Sequence, residues 1–156
     1  MLRRIFPLPA DNRFRGHPFA LWLFVPLTLV AIVRSCLHVF LGDGGAQSIA
    51  TIPLDTFSTG AVATVISIFA LWGLSQLLLA LIFAVVWFRY RALISLMYLI
   101  FLVENLGRIA IGMGKPVFAV ETPPGAPGSY IFALVSLVGL ILSLRWREDP
   151  SPAPGN

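Results

Sequence analysis

Residues 92–113 read ALISLMYLIFLVENLGRIAIGM, an apolar run long enough to cross a bilayer that nevertheless carries Glu104, Asn105 and Arg108. About 20 apolar residues at 1.5 Å per residue span roughly 30 Å of hydrocarbon, so the run reads as a transmembrane helix. An ionised side chain at the bilayer centre costs roughly 2.5–3.5 kcal/mol on insertion scales, so such residues are paired, solvated or functional. Glu104 and Arg108 are four residues apart with the acid first, the favourable order for a pair stacked on one helical face.

Outward from this run the same pattern repeats. Apolar stretches over 19–41, 61–88 and 130–144 flank it, the last extending to about 129–146. With 58% hydrophobic and 12% charged residues and a mean hydropathy of +0.88, the chain departs far from soluble domains, where about a quarter of residues are charged. The expected fold is all-α and polytopic: four transmembrane helices in an up-down-up-down bundle forming one domain over 19–146. A cytoplasmic N-terminal segment (1–18) precedes it and a cytoplasmic Pro-rich tail (147–156) follows. The first run exceeds the 7–15 residues of a signal-peptide core and lacks an A-x-A site behind it, so it reads as an uncleaved helix.

The pI near 10 is a topology signal, and no nucleic-acid partner is expected. Eight of the eleven basic residues fall in the N-terminal segment (Arg3, Arg4, Arg13, Arg15), at Arg89 and Arg91, and at Arg145 and Arg147; Lys115 alone lies in the other two loops. That asymmetry places both termini on the cytoplasmic side.

Cys36 has no partner, which excludes dithiol chemistry. His17 and His38 are 21 residues apart, about 30 Å along a helix, too far to clamp a haem. A metal site of His38 with Glu104 is under-ligated, so no metal is expected and no cofactor is implied.

Breakers organise the rest. Pro26 lies inside the first span and is expected to bend it. Asp43-Gly44-Gly45 forms a turn after it, and Ser58–Thr59 caps the second span. The Gly42–Gly60 connection, long and studded with Ile49, Ile52, Leu54 and Phe57, is expected on the membrane surface or over the outer mouth of the bundle; a plain linker is the alternative. Residues 122–128 read as too rich in Pro and Gly for a helix. Ser136, Gly139 and Ser143 mark a packing face on the fourth span.

Depth and azimuth gather the polar residues. Arg34 lies seven residues before Leu41 and Glu104 nine before Met113, both about 10–14 Å below the outer helix ends. Arg34 and His38 stack four apart on the first helix, and Gln76 lies mid-way along the second, one turn after Trp72 and Gly73. His38 near the outer end reads as a solvated helix-end histidine rather than an acid–base catalyst. The candidate site is therefore Arg34, His38, Gln76, Glu104, Asn105 and Arg108. Two arginines face one carboxylate, leaving a positive charge to be answered by a lipid headgroup, a small anionic ligand, Asp43 or Asp55 from the long loop, or a partner's acid. Arginine's planar fork favours the first two. Membrane lipids, an anionic small molecule, a membrane-protein partner and a second copy of the chain remain the candidate partners. The network could equally serve to hold the helices together, with the arginines snorkelling outward.

At Phe69-Ala70-Leu71-Trp72-Gly73-Leu74-Ser75-Gln76 and at Leu96-Met97-Tyr98-Leu99-Ile100-Phe101-Leu102-Val103-Glu104-Asn105-Leu106-Gly107-Arg108 the chain resembles uncharacterised bacterial four-helix membrane proteins grouped with the DoxX-like proteins. The resemblance covers the first three spans and the Gly42–Ser48 turn. It implies a bacterial inner-membrane protein of four helices and carries over no catalytic residue. Three functions stand open: a protein binding an anion or amphiphile in an outward-facing pocket, an accessory subunit meeting another protein through the charged stripe, and a small dimeric exporter built around Glu104. The exporter needs a carboxylate free to exchange protons, which two neighbouring arginines oppose.

Overall fold

The protein is described by a computed structural model covering residues 2–145; Trp146 and the tail expected over 147–156 lie outside the described residues. Among the described residues all regular structure is helical: α1 (Leu2–Ile5), α2 (Pro18–Phe40), α3 (Thr59–Arg89), α4 (Ile94–Gly114) and α5 (Gly125–Leu144), with single 3-10 turns at Leu54–Thr56 and Arg91–Leu93. Helices α2 to α5 are each long and apolar enough to cross a membrane, which makes the chain a multi-pass membrane protein.

Local chemistry sets the helix ends. Pro18 opens α2, where its missing N–H is no loss, and the His17 ring accepts from the Phe19 amide. The helix continues through Pro26 to a cap at Leu41. Ser58 caps α3 by accepting from Ala61 N–H at 3.4 Å. The fourth span begins four residues before the expected 129: Gly125–Gly128 form the first turn of α5 rather than loop. Pro127 is tolerated there because amides in a first turn have no intrahelical acceptor to lose.

The closest pairings are α2 with α3 and α4 with α5, with α5 also seated on α2. Each close pair turns on one glycine. A Cβ on Gly73 would lie 2.6 Å from the Cβ of His38, and one on Gly139 would lie 2.2 Å from Cε1 of Tyr98. The Tyr98 ring fills the Gly139 notch and its hydroxyl donates to the Ala20 carbonyl at 2.7 Å, so one side chain joins α5, α4 and α2. Ser136 and Ser143 are buried on the same face of α5, as their spacing indicates. A run of aromatic contacts links all four spans: Phe24 meets Phe83 and Tyr98, Phe83 meets Phe101, and Phe101 meets Phe132, with centroids 5.4–5.9 Å apart. By contrast α3 and α4 share few backbone approaches and meet through long side chains.

The 31 residues of α3 reach about 46 Å, well beyond 30 Å of hydrocarbon. The surplus supports the 41–58 connection. Ala46, Ile52 and Leu54 form a small second core against Val62, Val65, Ile66 and Phe69 of α3, which seats the loop on this helix. Gly44 and Gly45 adopt positive φ (60° and 74°), a backbone only glycine enters cheaply, and let the chain double back. Asp43 closes the turn by accepting from the amides of Gly45 (2.8 Å), Gln47 (3.1 Å) and Ser48 (2.7 Å). Partial burial opposes its ionisation, but these N–H groups prevail and hold its pKa at about 2. The two long connections then join: Val120 N–H donates to the Thr51 carbonyl at 2.9 Å, and the Thr51 hydroxyl donates to the Glu121 carbonyl at 2.9 Å.

At the opposite face the N-terminal segment passes beneath the helix ends. Ala92 N–H donates to the Asp11 carbonyl at 3.2 Å, His17 N–H donates to the Leu142 carbonyl at 3.1 Å, and the Arg4 guanidinium donates to the Leu144 carbonyl. The carbonyls of Leu142 and Leu144, at the end of α5, thereby gain donors from outside the helix. Trp22 and Trp87 meet at a tilt, with centroids 5.5 Å apart, near this face, and Arg91 covers Trp87 at 5.2 Å.

Candidate functional site

Four of the six candidate residues meet in space. Glu104 and Arg108, one turn apart on α4, form an ion pair in which Nε donates to Oε1 at 2.8 Å and Nη2 lies 2.7 Å from the same oxygen, out of line for a hydrogen bond. Arg34 approaches from α2, its Nη2 3.9 Å from Glu104 Oε1 and within 3.2 Å of Gln76 Oε1 on α3, to which it donates. A single carboxylate oxygen thus holds two guanidinium groups from two helices.

The side chains are largely enclosed, 24% exposed at Arg34, 16% at Glu104 and 19% at Arg108. Neither arginine snorkels free. Both lie against the Trp72 ring of α3, their Cζ atoms 5.7 Å (Arg34) and 4.6 Å (Arg108) from its centroid. An aromatic face attracts a desolvated cation. Trp72 is thus the residue missing from the sequence-based set. Its signal was available: it lies one turn from Gln76 on the same face of α3.

The other two candidates are turned to different work. The Asn105 amide donates to the Phe101 carbonyl of its own helix at 2.8 Å and is buried away from the ions. His38 packs on Trp72 with ring centroids 4.7 Å apart and on Phe69 at 5.8 Å, and its Nδ1 lies 2.8 Å from the Gly44 carbonyl. With the proton on Nδ1 it donates to that carbonyl, so His38 is a buried anchor for the loop and not the solvated helix-end histidine expected. The loop doubles back at Gly44 and covers it.

The cluster's charge remains unbalanced. Asp43 is committed to its own turn, and Asp55 is exposed with Gln47 Nε2 at 3.5 Å as its neighbour. Neither loop carboxylate meets the arginines. Two buried atoms also lack partners: Glu104 Oε2 has no donor and Arg108 Nη2 no hydrogen-bonded acceptor. Unsatisfied buried polar atoms are rare in native proteins, and each calls for a specific account. The site offers one strong donor and one strong acceptor side by side, with a surplus positive charge. Among the described residues no three His, Cys, Asp or Glu side chains gather as metal ligands.

Compared with known proteins, the chain matches no family model, no curated protein and no solved structure.

Proposed function

We propose that the chain is an inner-membrane protein with both termini cytoplasmic, whose Arg34–Glu104–Arg108 cluster binds an anion from the outward half of the bilayer. The ligand is a phosphate or carboxylate, carried by a small molecule or a lipid headgroup. The observation that carries this reading is two arginines on Trp72 sharing one carboxylate oxygen, with Arg108 Nη2 ion-paired to it but without a hydrogen-bonded acceptor, while both nearby aspartates are engaged elsewhere or exposed. The unpartnered Glu104 Oε2 refines the ligand: it also bears a hydroxyl or N–H donor. Access runs between α3 and α4, which share few backbone approaches. The orientation follows from the arginine asymmetry. Contacts among the N-terminal segment, the Arg91–Leu93 turn and the end of α5 at one face, and between the two loops at the other, support alternating spans. The bacterial assignment rests on the DoxX-like stretches quoted above.

The test is native mass spectrometry of the chain in mild detergent. A retained anionic molecule whose apparent affinity falls about tenfold or more in Arg108→Gln is the expected result, since a hydrogen bond to a charged group contributes about 1.5–3 kcal/mol. Retention unaffected by Arg108→Gln and Arg34→Gln would overturn the reading. Capture of a second membrane protein instead would favour the accessory-subunit alternative, which the loose α3–α4 seam also suits. The exporter reading is disfavoured by the 2.7 Å pairing of Glu104 with Arg108.

A further inference from the structure

Helix α3 packs on α2, α2 on α5 and α5 on α4, which leaves the bundle with one loose edge, between α3 and α4. At one end of this edge the chain itself joins the two helices through Tyr90 and the Arg91–Leu93 turn, and Phe83 meets Phe101 nearby with centroids 5.8 Å apart. Towards the other end the edge is crossed by Arg108 lying on Trp72. Beyond that point the helices are joined only through their long connections. Among the described residues, all the hydrogen bonds between those connections fall on Thr51: Val120 N–H donates to its carbonyl at 2.9 Å, its hydroxyl donates to the Glu121 carbonyl at 2.9 Å, and Glu121 N–H donates to the same hydroxyl at 3.3 Å. Thr51 belongs to the loop seated on α3, with its own N–H donating to the Gln47 carbonyl at 3.2 Å, whereas Val120 and Glu121 follow the end of α4 at Gly114.

We propose that Thr51 is the clasp of a gate: the α3–α4 edge parts and rejoins at the end where the two long connections meet, with the α2–α5 contact as its hinge, and so admits the ligand of the cluster, which rests on the reading that the ligand passes between α3 and α4. The clasp is the weakest closure in the bundle. Parting α2 from α3 would withdraw His38 from the Gly73 notch, and parting α4 from α5 would withdraw Tyr98 from the Gly139 notch, whereas parting the edge beyond the cluster breaks hydrogen bonds at one residue. The clasp is also strained. Thr51 holds φ at 54°, a left-handed backbone that a β-branched residue enters only at a cost. Such strain persists where surrounding bonds over-determine it and collects at switch regions, because it brings the joined form closer in energy to the parted one. The α4 side has room to move: Ile111, Gly112, Met113 and Gly114 at the end of the helix, and Val117, Phe118 and Val120 after it, are all exposed. A packed hinge with a small closure opposite it is one of the standard two-state arrangements of helical proteins. Since the cluster bridges the same edge, the side chains that a ligand meets as the edge parts are Trp72, Arg108 and Glu104.

The test attaches spin labels at Ala63→Cys on α3 and Ile111→Cys on α4, both exposed positions outside the clasp and the cluster, in the full chain carrying Cys36→Ser. Double electron–electron resonance in lipid nanodiscs reads the distance between them, and circular dichroism checks that each variant stays helical. A second label pair, at Ile111→Cys and Ile131→Cys, follows the closely packed α4–α5 pair. Thr51→Val keeps the shape and the strained backbone but loses both hydroxyl hydrogen bonds, and is expected to raise the ratio of long to short Ala63–Ile111 distances about fivefold or more, the effect of about one net hydrogen bond. Thr51→Asn, a residue type that enters the left-handed region readily and keeps a polar side chain, is expected to stay at or below the wild-type ratio. The Ile111–Ile131 distance is expected to stay fixed throughout. The proposal is overturned if Thr51→Val leaves the Ala63–Ile111 distances unchanged, or if the Ile111–Ile131 distance shifts as much, which marks general loosening of the bundle. The measurement needs no ligand, so failure of the anion reading shows separately, as anion retention unaffected by Arg108→Gln while the distances still respond to Thr51→Val.

Discussion

Replacing Glu104 with Gln removes one negative charge, keeps the shape, and leaves Arg34 and Arg108 facing each other across Trp72. At 2.7 and 3.9 Å, and with an effective dielectric near 20, the two attractions lost amount to about 6 and 4 kcal/mol gross. Most of that is already offset in the native state by desolvation of the three ions. Breaking a buried ion pair from one side costs about 3–5 kcal/mol net. Here the groups are 16–24% exposed, and the Gln carbonyl oxygen can still accept from Arg108 Nε, so a loss of about 2–4 kcal/mol is expected. Reversible unfolding of the full chain in mixed micelles reads this directly. A double-mutant cycle with Arg108→Gln isolates the pair, and the double mutant is expected to recover part of the loss because only Arg34 then stays charged and the repulsion between the two arginines is gone. The same Glu104→Gln variant doubles the cluster's surplus charge and is expected to bind its anion more tightly than wild type. A stability change within about 0.5 kcal/mol, the size of an ordinary surface substitution, would refute the claim that the arginines are held by this carboxylate.

Gly139→Ala places a methyl group 2.2 Å from the Tyr98 ring and is expected to destabilise by about 2–4 kcal/mol, combining overpacking with the strained Tyr98–Ala20 hydrogen bond. The same unfolding assay checks it, and Tyr98→Leu in the Gly139→Ala background should regain part of the loss. Asp43, held at about 2 against 3.8 for the free side chain, contributes loop stability that is complete above about pH 4 and is lost as the pH falls toward 2. Amide signals of Gly45, Gln47 and Ser48 followed by NMR should shift together over that window, and in Asp43→Asn the pH dependence should vanish.

Helix existence was legible because hydropathy and length are properties of the chain alone: three spans lie on apolar runs of bilayer length, and the fourth on the shorter run over 130–144, which α5 lengthens by starting at Gly125. Their ends were less legible. The Ser58 cap was readable from its side chain, whereas the start of α5 was misplaced because Pro127 and Gly128 disfavour a helix interior but not a first turn. Within the cluster, the Glu104–Arg108 pair follows from i,i+4 spacing on one helix, and the nearness of Arg34 from matched depth. Asn105 shares their stripe yet bonds its own backbone at Phe101, a choice between acceptors that spacing does not express. The loop's place on α3 and the N-terminal segment's place under α5 were not readable. The loop's tie to His38 of α2 is the Gly44 carbonyl and the segment's ties are the carbonyls of Leu142 and Leu144, and every residue type carries a carbonyl.

From composition and periodicity alone came a four-span membrane chain, a polar stripe at one depth, and two arginines set against one acid. Those are consequences of transfer free energy and helical geometry, which act residue by residue. Which helices touch closely was decided by where Gly73 and Gly139 let neighbouring side chains in. The same packing decided that Trp72 carries both guanidinium groups, that His38 serves the loop, and that Thr51 joins the two long connections. Such contacts join positions tens of residues apart, and only the packed helices bring them within reach of one another.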